Sequence, residues 1–121
     1  MPAWLSLTTY WSIQLGLTGV AIASHNEVVL VRLYRHGMQQ TVLEIPSGGV
    51  EASDISVLAA ARRELLEETG YGGGMFVETG RLSPNSANHA NTVHCFLATE
   101  IEQILSHCSL NLSAYSASII T

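Results

Sequence analysis

Three glutamates, Glu64, Glu67 and Glu68, stand at positions i, i+3 and i+4 in the middle of the chain. If this stretch is helical, the three side chains project from one face within a single turn. Like charges so close repel each other, so the cluster makes physical sense when a divalent cation lies against it. Because all of the donors are oxygen atoms, they favour Mg²⁺, Mn²⁺ or Ca²⁺ over zinc. The spacing predicts a cation site, with a solvated acidic helix face as the alternative.

The surrounding residues predict a helix over residues 56–69. Ser53 or Asp54 can cap its N-terminus, and Gly70 can end it in the left-handed conformation. An apolar stripe at helical spacing consists of Leu58, Ala61 and Leu65. This stripe points about 100° away from Glu64, so one face can be buried while the glutamates meet solvent or metal.

The composition indicates a single folded domain. The chain has 121 residues, of which 47% are hydrophobic, enough for one core. It has five arginines, no lysine and a formal net charge of −5, which argues against nucleic acid or an anionic membrane as a partner. Half of the ten acidic residues lie between Glu51 and Glu68, so the negative charge is concentrated at the predicted site.

Nothing in the sequence predicts export or membrane insertion. No basic residue precedes Arg32, so the charged start of a signal peptide is missing, and no apolar run reaches membrane-spanning length. We therefore expect a cytoplasmic protein. Cys95 and Cys108 are expected to be buried free thiols, with a disulfide as the alternative.

Apolar alternation on both sides of the helix predicts an α/β fold with a mixed sheet packed between helices. The expected strands are 13–24, 27–35, 41–45, 75–82 (broken at Gly80) and 92–99. Ile101, Ile104 and Leu105 have helical spacing and predict a short helix over 100–107. Residues 109–121 are expected to form a last strand or an ill-ordered end. We expect one domain over 1–121, with an N-terminal arm at 1–12 and an atypical C-terminal segment at 100–121.

From Arg63 to Tyr71 the chain reads RELLEETGY, which resembles the second half of the Nudix hydrolase motif at every fixed position. The first half departs from that motif, in which five residues separate a glycine from a glutamate and seven more separate the glutamate from the arginine. Counting from Gly49 gives Ile55 at that place. Counting from Gly48 gives Asp54, which eight residues separate from Arg63. In the family this glutamate braces the loop against the helix, so Asp54 is a candidate for that role from a shifted register.

Two further runs, VRLYRHG at 31–37 and LEIP at 43–46, are similar to the ADP-ribose pyrophosphatase branch of the family. The resemblance implies a Nudix-type α/β/α sandwich with a mixed sheet. It also implies a Mg²⁺-dependent hydrolase, with Mn²⁺ as the alternative ion, acting on a nucleoside diphosphate linked to another moiety. ADP-ribose or an ADP-sugar is the favoured substrate. The altered start of the motif and the short C-terminus leave a second reading open, a binding module without turnover. Where the family has a closing helix, this chain is expected to leave an apolar sheet face uncovered, which predicts a homodimer or another obligate partner.

The resemblance also assigns roles to individual residues. The metal ligands would be Glu64, Glu67, Glu68 and the carbonyl of Ser47. Arg63 would complete the catalytic set as the brace of the loop. Substrate contacts would come from Arg35, Arg81 and the backbone of Gly48 and Gly49, where glycine permits close approach. The family's candidate general base, a glutamate in a later loop, has no clear counterpart here, so Glu102 or Glu100 would substitute for it, or a glutamate of the motif would serve as base. His89 and His94 are weaker acid–base candidates, because histidines without such a role are more common.

Overall fold

The computed structural model describes residues 16–84, 86–87 and 91–106 and the backbone of 115–120. In this part of the chain one α-helix packs on a mixed sheet, which confirms the predicted α/β class. In chain order the elements are β1 (Gly16–Ala23), β2 (Glu27–Arg35), β3 (Gln40–Glu44), β4 (Ser47–Gly49), α1 (Val57–Thr69), β5 (Tyr71–Gly72), β6 (Met75–Leu82), β7 (Val93–Gln103) and β8 (Tyr115–Ile120). The single-domain assignment and the arm at 1–12 stay predictions, because residues 1–15 lie outside the described ones.

Strand β1 is the centre of the sheet. It runs parallel to β7 on one side. On its other side it is antiparallel to β4 at its start and to β2 at its end. Strand β2 also pairs with β3 and β8, and β7 also pairs with β6 and β5. This arrangement places the short strand β4, which leads into the glutamate helix, directly beside the first residues of β1.

The alternation in β2 decides which face of the sheet meets the helix. Val29, Val31 and Leu33 are buried, whereas Arg32 and Tyr34 on the other face are exposed. Val29 belongs to a cluster with Leu65 of α1 and with small and branched residues of β1 and β7. A second cluster joins the first turns of α1 to the start of β1 and the middle of β7. The helix is therefore fixed above β1 and β7.

Helix α1 begins and ends close to the predicted residues. Ser56 is the N-cap, and its Oγ accepts a hydrogen bond from the Ala59 N–H at 3.0 Å. The predicted cap at Ser53 or Asp54 is wrong, because the loop continues past both residues before the first helical turn. Gly70 ends the helix with φ 78°, as predicted, and donates to the Leu66 carbonyl at 2.8 Å.

The predicted apolar stripe is correct only in part. Ala61 and Leu65 are buried, and Ala60 is buried beside them. Leu58 has nearly the same angular position as Leu65 but is exposed. It lies in the first turn of the helix, where the described residues leave its side chain uncovered.

The predicted helix over 100–107 is wrong from Glu100 to Gln103, because β7 continues through these residues. Glu100 takes a positive φ of 57° where the pairing register with β1 shifts. The irregularity turns Ile101 into the core, where it is 2% exposed. Ile104 and Leu105 then donate their backbone N–H groups to the Gly70 carbonyl at 2.9 and 3.0 Å. Of the apolar residues at helical spacing, Ile101 therefore belongs to β7 and the core, and Ile104 and Leu105 hydrogen-bond to the residue that ends α1.

Two other expectations involve the far end of the chain and the membrane. Residues 115–120 form β8, in agreement with the predicted last strand.

Cys95 is a free, half-buried thiol, and Cys108 lies outside the described residues. Among the helices that the structure describes, none is long and apolar enough to cross a membrane. The cytoplasmic location stays a prediction.

The end of α1 generates a stability prediction. A Cβ atom on Gly70 would lie 2.5 Å from the Leu105 carbonyl oxygen, at a φ that side chains disfavour. We expect Gly70→Ala to lower the free energy of unfolding in urea by roughly 1–3 kcal/mol. Gly37→Ala is the control, because a Cβ there meets no atom within 4 Å. Equal midpoints for the two variants would contradict the prediction.

Candidate functional site

Glu64 and Glu68 point from α1 onto strand β4. The Glu68 Oε2 atom accepts a hydrogen bond from the Ser47 N–H at 3.3 Å. A Cβ atom on Gly48 would lie 2.5 Å from each carboxylate oxygen of Glu64, so only glycine leaves room for this carboxylate. Glu67 is more exposed and turns towards Arg63. The three carboxylates therefore lie on one side of the helix, as predicted, but two of them are half-buried rather than solvent-facing.

Arg63 joins the helix to the loop that follows β4. Its Nη2 donates to the Gly49 carbonyl at 2.9 Å, while Nη1 donates to Glu64 Oε1 and Glu67 Oε2, both at 3.1 Å. Nη1 also lies 3.5 Å from a carboxylate oxygen of Glu51. Hydrogen bonds to carboxylates raise the pKa of this guanidinium. One cation thus neutralises part of the acidic cluster and fixes the orientation of Glu64.

Asp54 completes the brace. Its carboxylate accepts two parallel bonds from Arg63 Nε and Nη2, both at 2.9 Å, and one from the Glu51 N–H at 2.8 Å. These bonds, led by those from Arg63, lower the pKa of Asp54. Ile55, the residue at the motif's glutamate position, is 95% exposed. Asp54, one residue before the motif's glutamate position, therefore binds Arg63, and Ile55 at that position faces solvent.

Glu68 is half-buried and has two like charges nearby. Burial raises its pKa to about 7, and the charges of Glu64 and Glu67 add to the rise, while the Ser47 N–H and the charge of Arg35 oppose it. A half-buried carboxylate with two like charges nearby gains more from a cation than an exposed one does. The local field therefore favours positive charge beside Glu68.

The donor set fits a hard divalent cation. All of the candidate ligands offer oxygen, which suits Mg²⁺ or Mn²⁺. Within residues 16–84, 86–87 and 91–106, no three acidic, His or Cys side chains already converge into a cage. Mg²⁺ commonly binds through one or two carboxylates, waters and substrate phosphates rather than through such a cage. Glu64 and Glu68 are the two that would hold it.

A polar cleft of about 50 Å³ opens beside Glu68. Its polar lining consists of Arg35, Glu44, Ser47 and Glu68. The structure thus brings the predicted substrate contact Arg35 to the glutamates. Arg35 also pairs with Glu44, a residue that the sequence reasoning did not single out. The antiparallel pairing of β2 with β3 could have pointed to Glu44, because it places Glu44 on the same face of the sheet as Arg35.

Arg81 does not join this cleft. The strand registers Gly48–Leu17, Leu17–His94 and His94–Arg81 place it three strands from Gly48, or about 14 Å. Its Nε donates to Glu78 at 2.8 Å, and the buried His94 shares the same Glu78 oxygen at 2.8 Å through Nδ1. Arg81 and His94 therefore bind one carboxylate on β6, apart from the helix glutamates. His89 lies outside the described residues.

Glu102 is not near the predicted metal ligands. Strands β1 and β7 run parallel, with Gly16 opposite Val93 and Ala23 opposite Ile101. Ser47 pairs with Thr18, five residues before Ala23, so Glu102 lies roughly 17 Å further along the sheet. Glu100 is at the same far end. The structure does not bring the predicted general base to the site.

The comparisons identify the family. A family model described as the NUDIX domain matches residues 14–111. Because the match covers most of the chain, this protein belongs to the Nudix family.

Individual relatives match shorter parts. The methanol dehydrogenase activator of Bacillus methanolicus is 40% identical over 52 residues, which are 43% of this chain and 28% of that protein. The ADP-ribose pyrophosphatase of Bacillus subtilis is 29% identical over 82 residues, or 68% of this chain and 44% of that protein. The chain therefore spans less than half the length of these curated relatives.

A solved structure supports the fold. The crystal structure of an ADP compounds hydrolase superposes with a TM-score of 0.73 at 20% sequence identity, covering 90% of this chain and 56% of the other. At this identity the likeness concerns the fold, which agrees with the helix and mixed sheet described above.

The contact between Gly48 and Glu64 generates a prediction about the cation. We expect Gly48→Ala to displace the Glu64 carboxylate and to weaken Mn²⁺ binding about 10- to 100-fold in calorimetry, the range for disturbing groups that orient ligands. Gly49→Ala is the matched control, because a Cβ there meets no atom within 4 Å and the carbonyl that binds Arg63 is kept. Unchanged affinity in a folded Gly48→Ala variant would show that this contact does not matter.

Proposed function

We propose that this protein is a Mg²⁺-dependent hydrolase of nucleoside diphosphates linked to another moiety, with ADP-ribose or an ADP-sugar as the substrate. One observation carries the proposal. Glu64 and Glu68 face β4 at the edge of a cleft that also contains Arg35. The family and the named activity of the Bacillus subtilis relative support the reaction class.

The charges of the site match a diphosphate only when a cation is present. Around the cleft and the loop, Arg35 and Arg63 already pair with Glu44 and Asp54. The remaining glutamates would repel the substrate by themselves. A bound divalent ion supplies the missing positive charge and lowers the pKa of a coordinated water.

The chain's own residues would then divide the work. Glu64 and Glu68 would hold the cation, with Glu67 assisting and the Ser47 carbonyl as a further ligand. Arg63 would keep Glu64 in place through the Asp54 and Gly49 contacts. Arg35 would bind a phosphate oxygen in the cleft, and the small Gly48 and Gly49 would let the substrate approach the backbone. Hydrolysis would form a bond from the water oxygen to one phosphorus and break the bond from that phosphorus to the bridging oxygen. One proton of the water would go to the base and then to solvent, and the departing phosphate would take up a proton on its former bridging oxygen.

The base for this water would come from the motif itself. The predicted alternative, Glu102, lies at the far end of the sheet. Of the cleft's two carboxylates, Glu44 is paired with Arg35, which supports Glu68 as the base.

This proposal predicts a difference between two glutamate variants. Glu68→Gln keeps the size of the side chain and removes the charge, so turnover of ADP-ribose with Mg²⁺ should fall about 10²- to 10³-fold. Glu102→Gln, the matched control, should leave turnover within about twofold, because surface changes away from the site have small effects. Release of ribose phosphate and AMP measures both.

Other outcomes separate the alternatives. A severe loss of turnover in Glu102→Gln would assign the role of general base to Glu102. If the parent protein hydrolyses no nucleoside diphosphate derivative with Mg²⁺ or Mn²⁺, the hydrolase proposal fails and the binding-module reading replaces it.

We also propose a homodimer, in which the sheet face opposite α1 is buried between two copies. Val20, Leu97 and Val77 lie side by side across β1, β7 and β6 on this face. Val20 is 39% and Val77 is 55% exposed, and Met75 beside them is 60% exposed. Large exposed apolar patches are uncommon in monomers.

Light scattering tests the dimer. At micromolar concentration we expect the parent protein to have the mass of two chains and Val77→Glu to have the mass of one. Ile55→Glu is the control, since Ile55 is exposed on the loop before α1 and outside this face. A monomeric parent protein, or equal dissociation by the control, would contradict the prediction.

A further inference from the structure

Two apolar side chains are exposed where helix α1 begins. Ile55, the residue before the N-cap Ser56, is 95% exposed, and Leu58 in the first turn is 40% exposed. Val50 and Val57 lie close to them in sequence, are half-buried and pack against the second core cluster. We call Val50, Ile55, Val57 and Leu58 the helix-start patch.

The two exposed residues of this patch have positions at which apolar side chains are usually covered. An apolar residue before the N-cap often packs on the fourth residue of the helix. Here that residue is Ala60, which is fully buried in the second core cluster and offers only a methyl group. Leu58 lies at nearly the same angle around the helix as the buried Leu65. Both Ile55 and Leu58 therefore keep apolar surface that the described part of the chain leaves uncovered.

The N-terminal segment, residues 1–15, joins the sheet beside this patch. It leads into Gly16, which pairs with Gly49 of β4. The loop to α1 starts after Gly49, and Ile55 follows six residues later. Because β1 and β4 are antiparallel, the N-terminal segment and the loop leave the sheet at the same end. An extended chain spans about 3.3 Å per residue, so a few residues before Gly16 suffice to reach the patch.

The composition of the N-terminal segment suits an apolar surface. None of its residues is charged, so its burial does not carry the cost of burying a charge. Its large apolar and aromatic residues are Trp4, Leu5, Leu7, Tyr10, Trp11, Ile13 and Leu15. The covalent link through Gly16 also makes docking intramolecular, which favours this segment over an apolar partner in solution.

We propose that the N-terminal segment docks on the helix-start patch of its own chain, with its tryptophans against Ile55 and Leu58. The segment would add apolar cover to the loop that the Arg63–Asp54 pair fixes through hydrogen bonds. This inference does not depend on the proposed function, because it concerns a surface at the start of α1 and not the reaction.

Tryptophan fluorescence tests the docking, because Trp4 and Trp11 are the two tryptophans of the chain and both belong to the N-terminal segment. In the full-length parent protein we expect emission at shorter wavelength, and weaker quenching by acrylamide, than in the chain unfolded by urea. Ile55→Glu should shift the emission to longer wavelength and raise the quenching constant about twofold or more, because a charge is costly in an apolar contact. Leu58→Glu should have the same effect.

Val77→Glu is the matched control. It makes the same kind of change on the sheet face opposite α1, where Val77 is 55% exposed. We expect it to leave the emission and the quenching of the tryptophans unchanged. Unfolding midpoints check that each variant is folded, and Ile55→Glu suits this test best because Ile55 lies outside the core.

Three results would overturn the inference. If the tryptophans of the parent protein are quenched as strongly as in the unfolded chain, the segment is not docked. If they are protected and stay so in both Ile55→Glu and Leu58→Glu, the segment docks elsewhere. If Val77→Glu exposes them as much as Ile55→Glu does, a second copy of the chain covers them. A parent protein without hydrolase activity would contradict the proposed function and leave these fluorescence results unaffected.

Discussion

The guanidinium of Arg63 is the interaction on which the rest of the site depends. It binds Asp54, the Gly49 carbonyl, Glu64 and Glu67 at once, and so connects the loop after β4 to the middle of α1. A helix turn that contains three glutamates is unfavourable by itself. Arg63 compensates part of that repulsion and gives Glu64 and Glu67 a defined hydrogen-bond partner.

The remaining charges follow from this arrangement. Arg63 has hydrogen bonds to Glu64 and Glu67, whereas Glu68 accepts one from the Ser47 N–H and is half-buried against β4. Arg35 reaches the same cleft from β2 but is held by Glu44. Each arginine of the site thus has a carboxylate that positions it, while Glu68 is half-buried with two like charges nearby. A cation beside Glu68 would lower the electrostatic energy of this arrangement.

The sequence reasoning was strongest where function depends on local spacing. Helix α1, its end at Gly70 and the shared side of the three glutamates follow from residues only a few positions apart. The reasoning failed where the chain folds back on itself. Arg81 and Glu102 were chosen by residue type and by likeness to the family, yet the strand registers place them three strands away and at the far end of the sheet. Glu44 was overlooked because its partner comes from the preceding strand.

The sequence by itself determined the family, the helix and its acidic turn, because helical periodicity and the RELLEETGY run are local properties of the chain. Only the tertiary structure decided which carboxylates meet the backbone of β4, that Asp54 replaces the missing glutamate on Arg63, and that Glu100 to Gln103 extend a strand. The physical reason is that apolar residues such as Ile101 fit a helix or a strand equally well in isolation. Pairing with β1 and burial under α1 select between the two, and neither is encoded in the spacing of neighbours.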